Sequence, residues 1–263
     1  MLAVLAAGCV NEDRELAVGD VLAVRINSYL PLVRDTAATG YLRRLGERLA
    51  AESERPHLPY RFYLIDSEGV NAFALPGGHV YLTRGLAART SGPAELAGVL
   101  AHEIGHVAAR HGAERLEREL RTGSVVSSLY GLLFGREPEL FEQRALKLGS
   151  RAWSASHSRT DELEADRSAV GYLLAAGFRP EALVTFLDTL IQEGRAAPST
   201  PLASWFSSHP TSGERLRRLR RALDSGELAA PRLRPGDELA YRRFVLRLRA
   251  LPPPPDSVAL PRI

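Results

Sequence analysis

The run His102-Glu103-Ile104-Gly105-His106 constrains this chain more than any other feature, because it lies inside an unbroken helical pattern. Pro93 suits the first turn of a helix, the dipole favours Glu95 in that turn, and Leu96, Val99, Leu100, Ile104 and Val107 recur at helical spacing to about Arg110. Residues four apart on a helix differ in direction by about 40°, so the two imidazoles point to one side and can reach a common ion at ~2.0–2.1 Å. This is a zinc-binding spacing. Glu103 is displaced by roughly 100°, outside the ligand set but placed to activate a water. An ordinary amphipathic helix with two surface histidines is the competing reading.

A catalytic zinc takes three protein ligands and keeps one position open. The metzincin extension requires glycine and histidine three and six residues after His106, where this chain has Ala109 and Gly112, so that subtype is excluded. His111 would be turned about 140° from His106 on a continuing helix and is expected at the surface. The third ligand is sought in Asp161-Glu162-Leu163-Glu164-Ala165-Asp166. Glu162 and Asp166 share a face, so one carboxylate can ligate while the other holds a ligand histidine by an outer hydrogen bond. Glu164 points roughly 200° away from that pair's leading member; Glu162 is preferred, and a distorted helix start would exchange the two.

The spacing elsewhere predicts an α+β fold: a mainly helical domain with a small antiparallel sheet before the active-site helix. Residues 18–53 read as helical, with Tyr41, Leu42, Leu45 and Leu49 on one stripe. Residues 60–66, 70–75 and 79–82 alternate as three short strands, separated by Ser67-Glu68-Gly69 and Pro76-Gly77-Gly78. Further helices are expected to Gly177, with a break near 154–160, then from Pro180 to Ile191, and over the basic stretch 215–223. Residues 123–137 and 196–210 combine small, breaker and apolar side chains, as lids over a site do. The chain divides into 1–17, a leader remnant and linker; 18–225, the metallopeptidase domain; and 226–263, a basic, proline-rich extension.

Composition excludes little. The 263 residues are 45% hydrophobic and 25% charged, enough for a proper core. Lys147 is the only lysine, so the net charge of +3 reflects an arginine bias, and no nucleic-acid module accompanies it. No run reaches the ~18–20 apolar residues of a spanning helix. The start Met-Leu-Ala-Val-Leu-Ala-Ala-Gly-Cys resembles a bacterial lipobox cut before Cys9, which implies a lipid-anchored envelope protein; the missing basic segment before it implies a truncated start.

Taken together, the blocks Val70-Asn71-Ala72-Phe73-Ala74-Leu75-Pro76-Gly77-Gly78-His79-Val80-Tyr81, Glu95 to His106, Glu162-x-x-Ala165-Asp166, and His209-Pro210 with Arg215 resemble the gluzincin family of the HtpX-type heat-shock proteases and CAAX prenyl proteases, in its soluble, exported branch. The resemblance implies one zinc per chain, Glu162 as third ligand, Asp166 as proton donor, and His209 near the cleft. There His209 could stabilise the oxyanion, cap the open zinc position in a resting enzyme, or be structural. The strand carrying Asn71, Ala72, Phe73 and Ala74 can pair with an extended substrate backbone. The expected function is zinc-dependent endopeptidase activity on misfolded or envelope polypeptides, outer-membrane proteins among them; the alternative is a zinc-stabilised periplasmic chaperone or assembly factor.

Overall fold

The computed structural model describes residues 11–121, 157–196, 205, 208–210, 213–224 and 234–255. Cys9, residues 123–137 and most of 196–210 lie outside them.

The N-terminal helical stretch is two helices, α1 (Glu12–Asn27) and α2 (Thr36–Ala50). Asn11 and Asp35 cap them, their side-chain oxygens accepting from the backbone N–H of Arg14 and Ala38. Three short strands follow, β1 (Arg61–Ile65), β2 (Ala72–Leu75) and β3 (His79–Thr83). The sheet order is β1-β3-β2, with β3 antiparallel to β2 but parallel to β1, so the sheet is mixed where an antiparallel one was expected. The Pro76-Gly77-Gly78 turn, in which Gly77 and Gly78 take φ of 80° and 95°, makes the tight reversal between β2 and β3, and β3 rather than β2 lies beside β1. A period of two places strands and faces but carries no information on which strand lies beside which.

The alternation of β2 sorts its side chains. Phe73 and Leu75 join Tyr81, Ile65, Ala23 and Ile26 in a small core against α1, whereas Ala72 belongs to the main core on the other face. Phe73 stacks on Tyr81 with ring centroids 4.6 Å apart.

After a one-turn helix, α3 (Arg84–Ala87), comes α4 (Pro93–Ala108), the centre of the molecule. It packs against α2, the sheet, α6 (Arg159–Ala175) and α7 (Glu181–Ala196). Partners on so many sides explain why every residue from Leu96 to Val107 is buried, polar ones included. Gly105 makes the closest approach: a Cβ there would lie 3.0 Å from the Ala165 carbonyl oxygen and 3.1 Å from its Cα. This small-on-small contact lets α6 settle directly on the motif.

Between these helices runs α5 (His111–Arg121). It does not continue α4. Arg110 takes φ 61° in the left-handed region and turns the chain. The last helices are α8 (Gly213–Asp224) and α9 (Asp237–Ala250). The second of these is an amphipathic element that the sequence reading passed over as a basic tail. Its Tyr241, Phe244 and Leu248 enter the main core, Phe244 stacks on Tyr41 with centroids 4.8 Å apart, and Asp237 pairs with Arg48 at 3.0 Å.

Candidate metal centre

Two helices supply the centre. From α4 come His102, Glu103 and His106; α6 brings Glu162 and Asp166 against them. The start of α6 is regular because Ser158 and Asp161 form a capping box, each side chain accepting from the other's backbone N–H. An undistorted start keeps Glu162 and Asp166 on the α4 side, while the Glu164 side chain remains 58% exposed. The face expected from helical spacing is therefore the one that meets the histidines.

Four donors converge. His102 Nε2 lies 3.1 Å from His106 Nε2 and 3.4 Å from His209 Nδ1; Glu162 Oε1 lies 3.4 Å from His106 Nε2 and 3.1 Å from His209 Nδ1, and Glu162 Oε2 is 3.5 Å from His102 Nε2. A tetrahedral zinc with bonds of ~2.0–2.1 Å separates its ligand atoms by ~3.3–3.4 Å, and these five separations lie close to that value, with all four side chains offering a ligand atom within 4.8 Å of the others. Three imidazoles and a carboxylate are also a donor set zinc accepts. All four side chains are 2% exposed or less, as a water-excluding cage requires.

Glu103 stands beside the cage. It is fully buried, and neither of its carboxylate oxygens has a hydrogen-bond partner among the described residues, the nearest cationic candidate being His209 Nε2 at 3.4 Å from Oε1. Burial pushes its carboxyl above the usual glutamate range. A buried, unpaired carboxylate is costly unless a cation or a water occupies the space it faces, and that space is the cage.

The histidines are oriented from behind. His102 Nδ1 lies 3.0 Å from Asp166 Oδ1, and Arg215, 2% exposed, grips Asp166 with Nε and Nη2, each at 2.8 Å. Arg215 Nη1 also contacts Glu162. Burial alone would lower the His102 pKa, but hydrogen bonds to Asp166 and Glu162 outweigh it and raise it to about 9. Burial raises the Asp166 carboxyl, but the charge and hydrogen bonds of Arg215, together with those of His102, outweigh it and leave the group below its usual range. Glu162 is held well below the usual glutamate range, its burial overridden by the charge of His209 and hydrogen bonds from His102, His106 and His209. His106 goes the other way, lowered by burial and by neighbouring His157. A ligand nitrogen must shed its proton to take a metal, so the proton on His102 makes metal uptake stronger as pH rises.

His209 is brought in from 107 residues away. Its ring stacks on Trp205 with centroids 4.5 Å apart, its backbone N–H donates to the Trp205 carbonyl, and Nε2 lies 3.3 Å from the Ala72 carbonyl oxygen. Ser208 Oγ donates to Asn71 Oδ1 at 3.3 Å. Asn71 and Ala72 thus meet the His209 segment, Ala74 is half-buried beside them, and the Phe73 side chain faces α1.

Several residues escaped the sequence reading. His111 is 5% exposed, with Nδ1 2.9 Å from His106 Nδ1, so its expected surface position is corrected; the bend at Arg110 turns it back toward the centre. His157, just before α6, stacks on His106 with centroids 3.7 Å apart. Arg215 lies inside an arginine-rich helix where nothing in the pattern separates the buried cation from the solvated ones.

A buried His/Glu cage on a His-Glu-x-x-His helix, with a second glutamate beside it, defines the class of zinc metallopeptidases. Residues 36–223 match peptidase family M48, and the chain belongs to that family. It is 32% identical over 216 residues to the beta-barrel assembly-enhancing protease of Yersinia pestis, covering 80% of this chain and 44% of that protein. With mitochondrial metalloendopeptidase OMA1 of Schizosaccharomyces pombe it shares 30% identity over 191 residues, 72% of this chain and 54% of the relative; with metalloprotease LoiP of Escherichia coli (strain K12), 30% over 165 residues, 61% of each. The chain spans less than half the length of the assembly-enhancing proteases it matches. No described helix is long and apolar enough to cross a membrane.

Proposed function

We propose that this chain is a zinc-dependent endopeptidase in which His102, His106 and Glu162 hold the metal and Glu103 is the general base. The observation that carries the reading is the cluster of four buried donors, with separations of 3.1–3.5 Å for the pairs given above, beside a buried carboxylate with no hydrogen-bond partner among the described residues. Zinc, when bound, supplies Lewis acidity to a water and to the scissile carbonyl. Glu103 then takes the proton of the attacking water and returns it to the leaving amine; its raised proton affinity suits that exchange near neutral pH. Asp166 holds the His102 Nδ1–H, fixing the tautomer that leaves Nε2 free to ligate, and Arg215 neutralises the carboxylates behind the site. His209, whose Nδ1 lies against His102 and Glu162, would also hold the metal and serve as a latch, a side chain that would have to withdraw to admit a substrate carbonyl. Strand β2 (Ala72–Leu75), with Asn71 just before it, lies at the sheet edge, and an extended chain would pair along Asn71, Ala72, Phe73 and Ala74.

The substrates we infer are misfolded or envelope polypeptides, outer-membrane proteins among them, and the anchored location follows from the lipobox-like start at Cys9. The names of the assembly-enhancing relatives support that assignment. Casein cleavage with zinc, with chelator and with Glu103→Gln tests the enzyme reading. The variant is expected to keep one zinc per chain and to lose ~10²- to 10⁴-fold in rate. Full rescue of a deletion strain by Glu103→Gln would instead establish the chaperone or assembly-factor reading.

A further inference from the structure

His106 has two ring nitrogens, and only one faces the cage. Nε2 lies 3.1 Å from His102 Nε2 and 3.4 Å from Glu162 Oε1. Nδ1 points the other way, 2.9 Å from Nδ1 of His111. A nitrogen that ligates a metal carries no proton, so a neutral His106 ring keeps its proton on Nδ1 and donates there. His111 Nδ1 must then accept, which leaves the His111 proton on Nε2, 3.4 Å from Glu164 Oε2. Each donor of this relay meets an acceptor, and the relay ends on a carboxylate.

From this geometry, and resting on the metal-site reading above, we propose that His111 is a positioning residue for zinc: it fixes the tautomer and ring orientation of His106, with Glu164 completing the relay. The arrangement parallels that of the other ligand histidine, whose Nδ1 meets Asp166 backed by Arg215. Neither His111 nor Glu164 ligates the metal. Glu164, the carboxylate not used by the cage, thereby has a task of its own.

The backbone is built for this contact. An unbroken helix would carry His111 about 140° away from His106. Arg110 prevents that with φ 61°, the only non-glycine positive φ among the described residues, a strained conformation that persists only where the surroundings hold it. They do so through α1. Arg110 Nε pairs at 3.0 Å with Oε2 of Glu15, a carboxylate 1% exposed that also takes Arg55 Nη1 at 2.9 Å. A buried ion-pair cluster on the first helix therefore braces the bend that delivers His111. His157 covers one face of the His106 ring.

The test is zinc affinity of the purified full chain, measured by competition with a chromophoric chelator, with circular dichroism to check folding. Asparagine can place its Oδ1 where His111 Nδ1 sits, whereas leucine offers no acceptor. His111→Leu is expected to weaken zinc binding ~10- to 100-fold, and His111→Asn to restore most of that loss. His111→Gln sets its amide at the Nε2 position and is expected to behave like leucine, which keeps the comparison with asparagine available should the leucine variant not fold. Glu164→Gln, at the exposed end, is expected to change affinity less than His111→Leu. Wild-type affinity in His111→Leu or His111→Gln, or equal affinities for His111→Asn and His111→Gln, would overturn the relay. Loss of one of two bound zinc ions in His111→Leu would also overturn it, in favour of a second metal site among His106, His111 and His157. His106→Ala is the control: if it loses zinc while His111 variants do not, only the relay fails; if it too keeps full zinc, the metal-site reading itself is wrong.

Discussion

Arg215→Met removes a guanidinium that faces two buried carboxylates, Asp166 and Glu162. Arg215 is 2% exposed, donates twice to Asp166 at 2.8 Å and contacts Glu162, whose own exposure is 0%. Methionine roughly preserves volume, so the loss is of charge rather than packing, and leaving a buried partner uncompensated costs about 3–5 kcal/mol. Against a total stability of about 5–15 kcal/mol this is a large fraction. In urea with zinc chelated, and a slope near ~3 kcal/mol per M, the midpoint should fall by roughly 1 to 2 M. Two comparisons make the reasoning specific. Asp166→Asn added to Arg215→Met removes one stranded charge and should recover a good part of the loss, an interaction energy of the kind double-mutant cycles isolate. Zinc should also narrow the gap between wild type and Arg215→Met, because a cation at Glu162 replaces part of what the guanidinium supplied. A midpoint within about 0.3 M of wild type, or a double variant no better than the single, would refute the argument that Arg215 is held there to neutralise Asp166 and Glu162.

Three shorter predictions follow from other parts of the molecule. His209→Ala should raise basal casein cleavage, since it vacates the fourth position of the cage; a fall in turnover with unchanged substrate affinity would make His209 an oxyanion donor instead. Phe244→Ala, which deletes a 2%-exposed ring stacked on Tyr41, should cost about 3–5 kcal/mol in urea unfolding without altering zinc content, and a loss under about 1 kcal/mol would show that α9 contributes little to the core. His79 is pushed below its usual pKa by burial and then by Arg61, with Asp20 opposing. A base depressed in the folded state contributes stability that is present above its unfolded pKa and lost as pH falls, so wild type should weaken below about pH 6.5 and His79→Gln should show a shallower decline; equal slopes would count against it.

What could be read from sequence was whatever one element determines alone. The pair His102 and His106, and the pair Glu162 and Asp166, each repeat at four residues on a helix with a clear start, so their faces follow from geometry. The strands β1 to β3 were legible from alternation, but a hairpin turn leaves either β2 or β3 free to lie beside β1, and that choice is made by packing distant in sequence. His111 was assigned to the surface by extending α4, and the fault lies in one dihedral at Arg110 that is stabilised by Glu15, some 95 positions earlier. No local pattern reports such a brace. Helix α9 differs: Tyr241, Phe244 and Leu248 are spaced as a buried stripe, and four arginines among them obscured it.

The contact between Gly105 and Ala165 has a consequence for which ions this centre can hold. One wall of the cage is α4 and another is α6, and the gap between those walls is fixed where a glycine touches an alanine backbone, not by any ligand. The seam works as a caliper. An alanine at 105 would bring a Cβ within 3.0 Å of Ala165 and spread the jaws by a few tenths of an ångström, lengthening donor separations across the seam while leaving those along α4 unchanged. Longer, uneven separations favour ions with longer bonds and higher coordination numbers over a tetrahedral ion with ~2.0–2.1 Å bonds. Two of the smallest residues in the chain therefore set a spacing on which the choice of ion depends, at a point that no ligand atom touches.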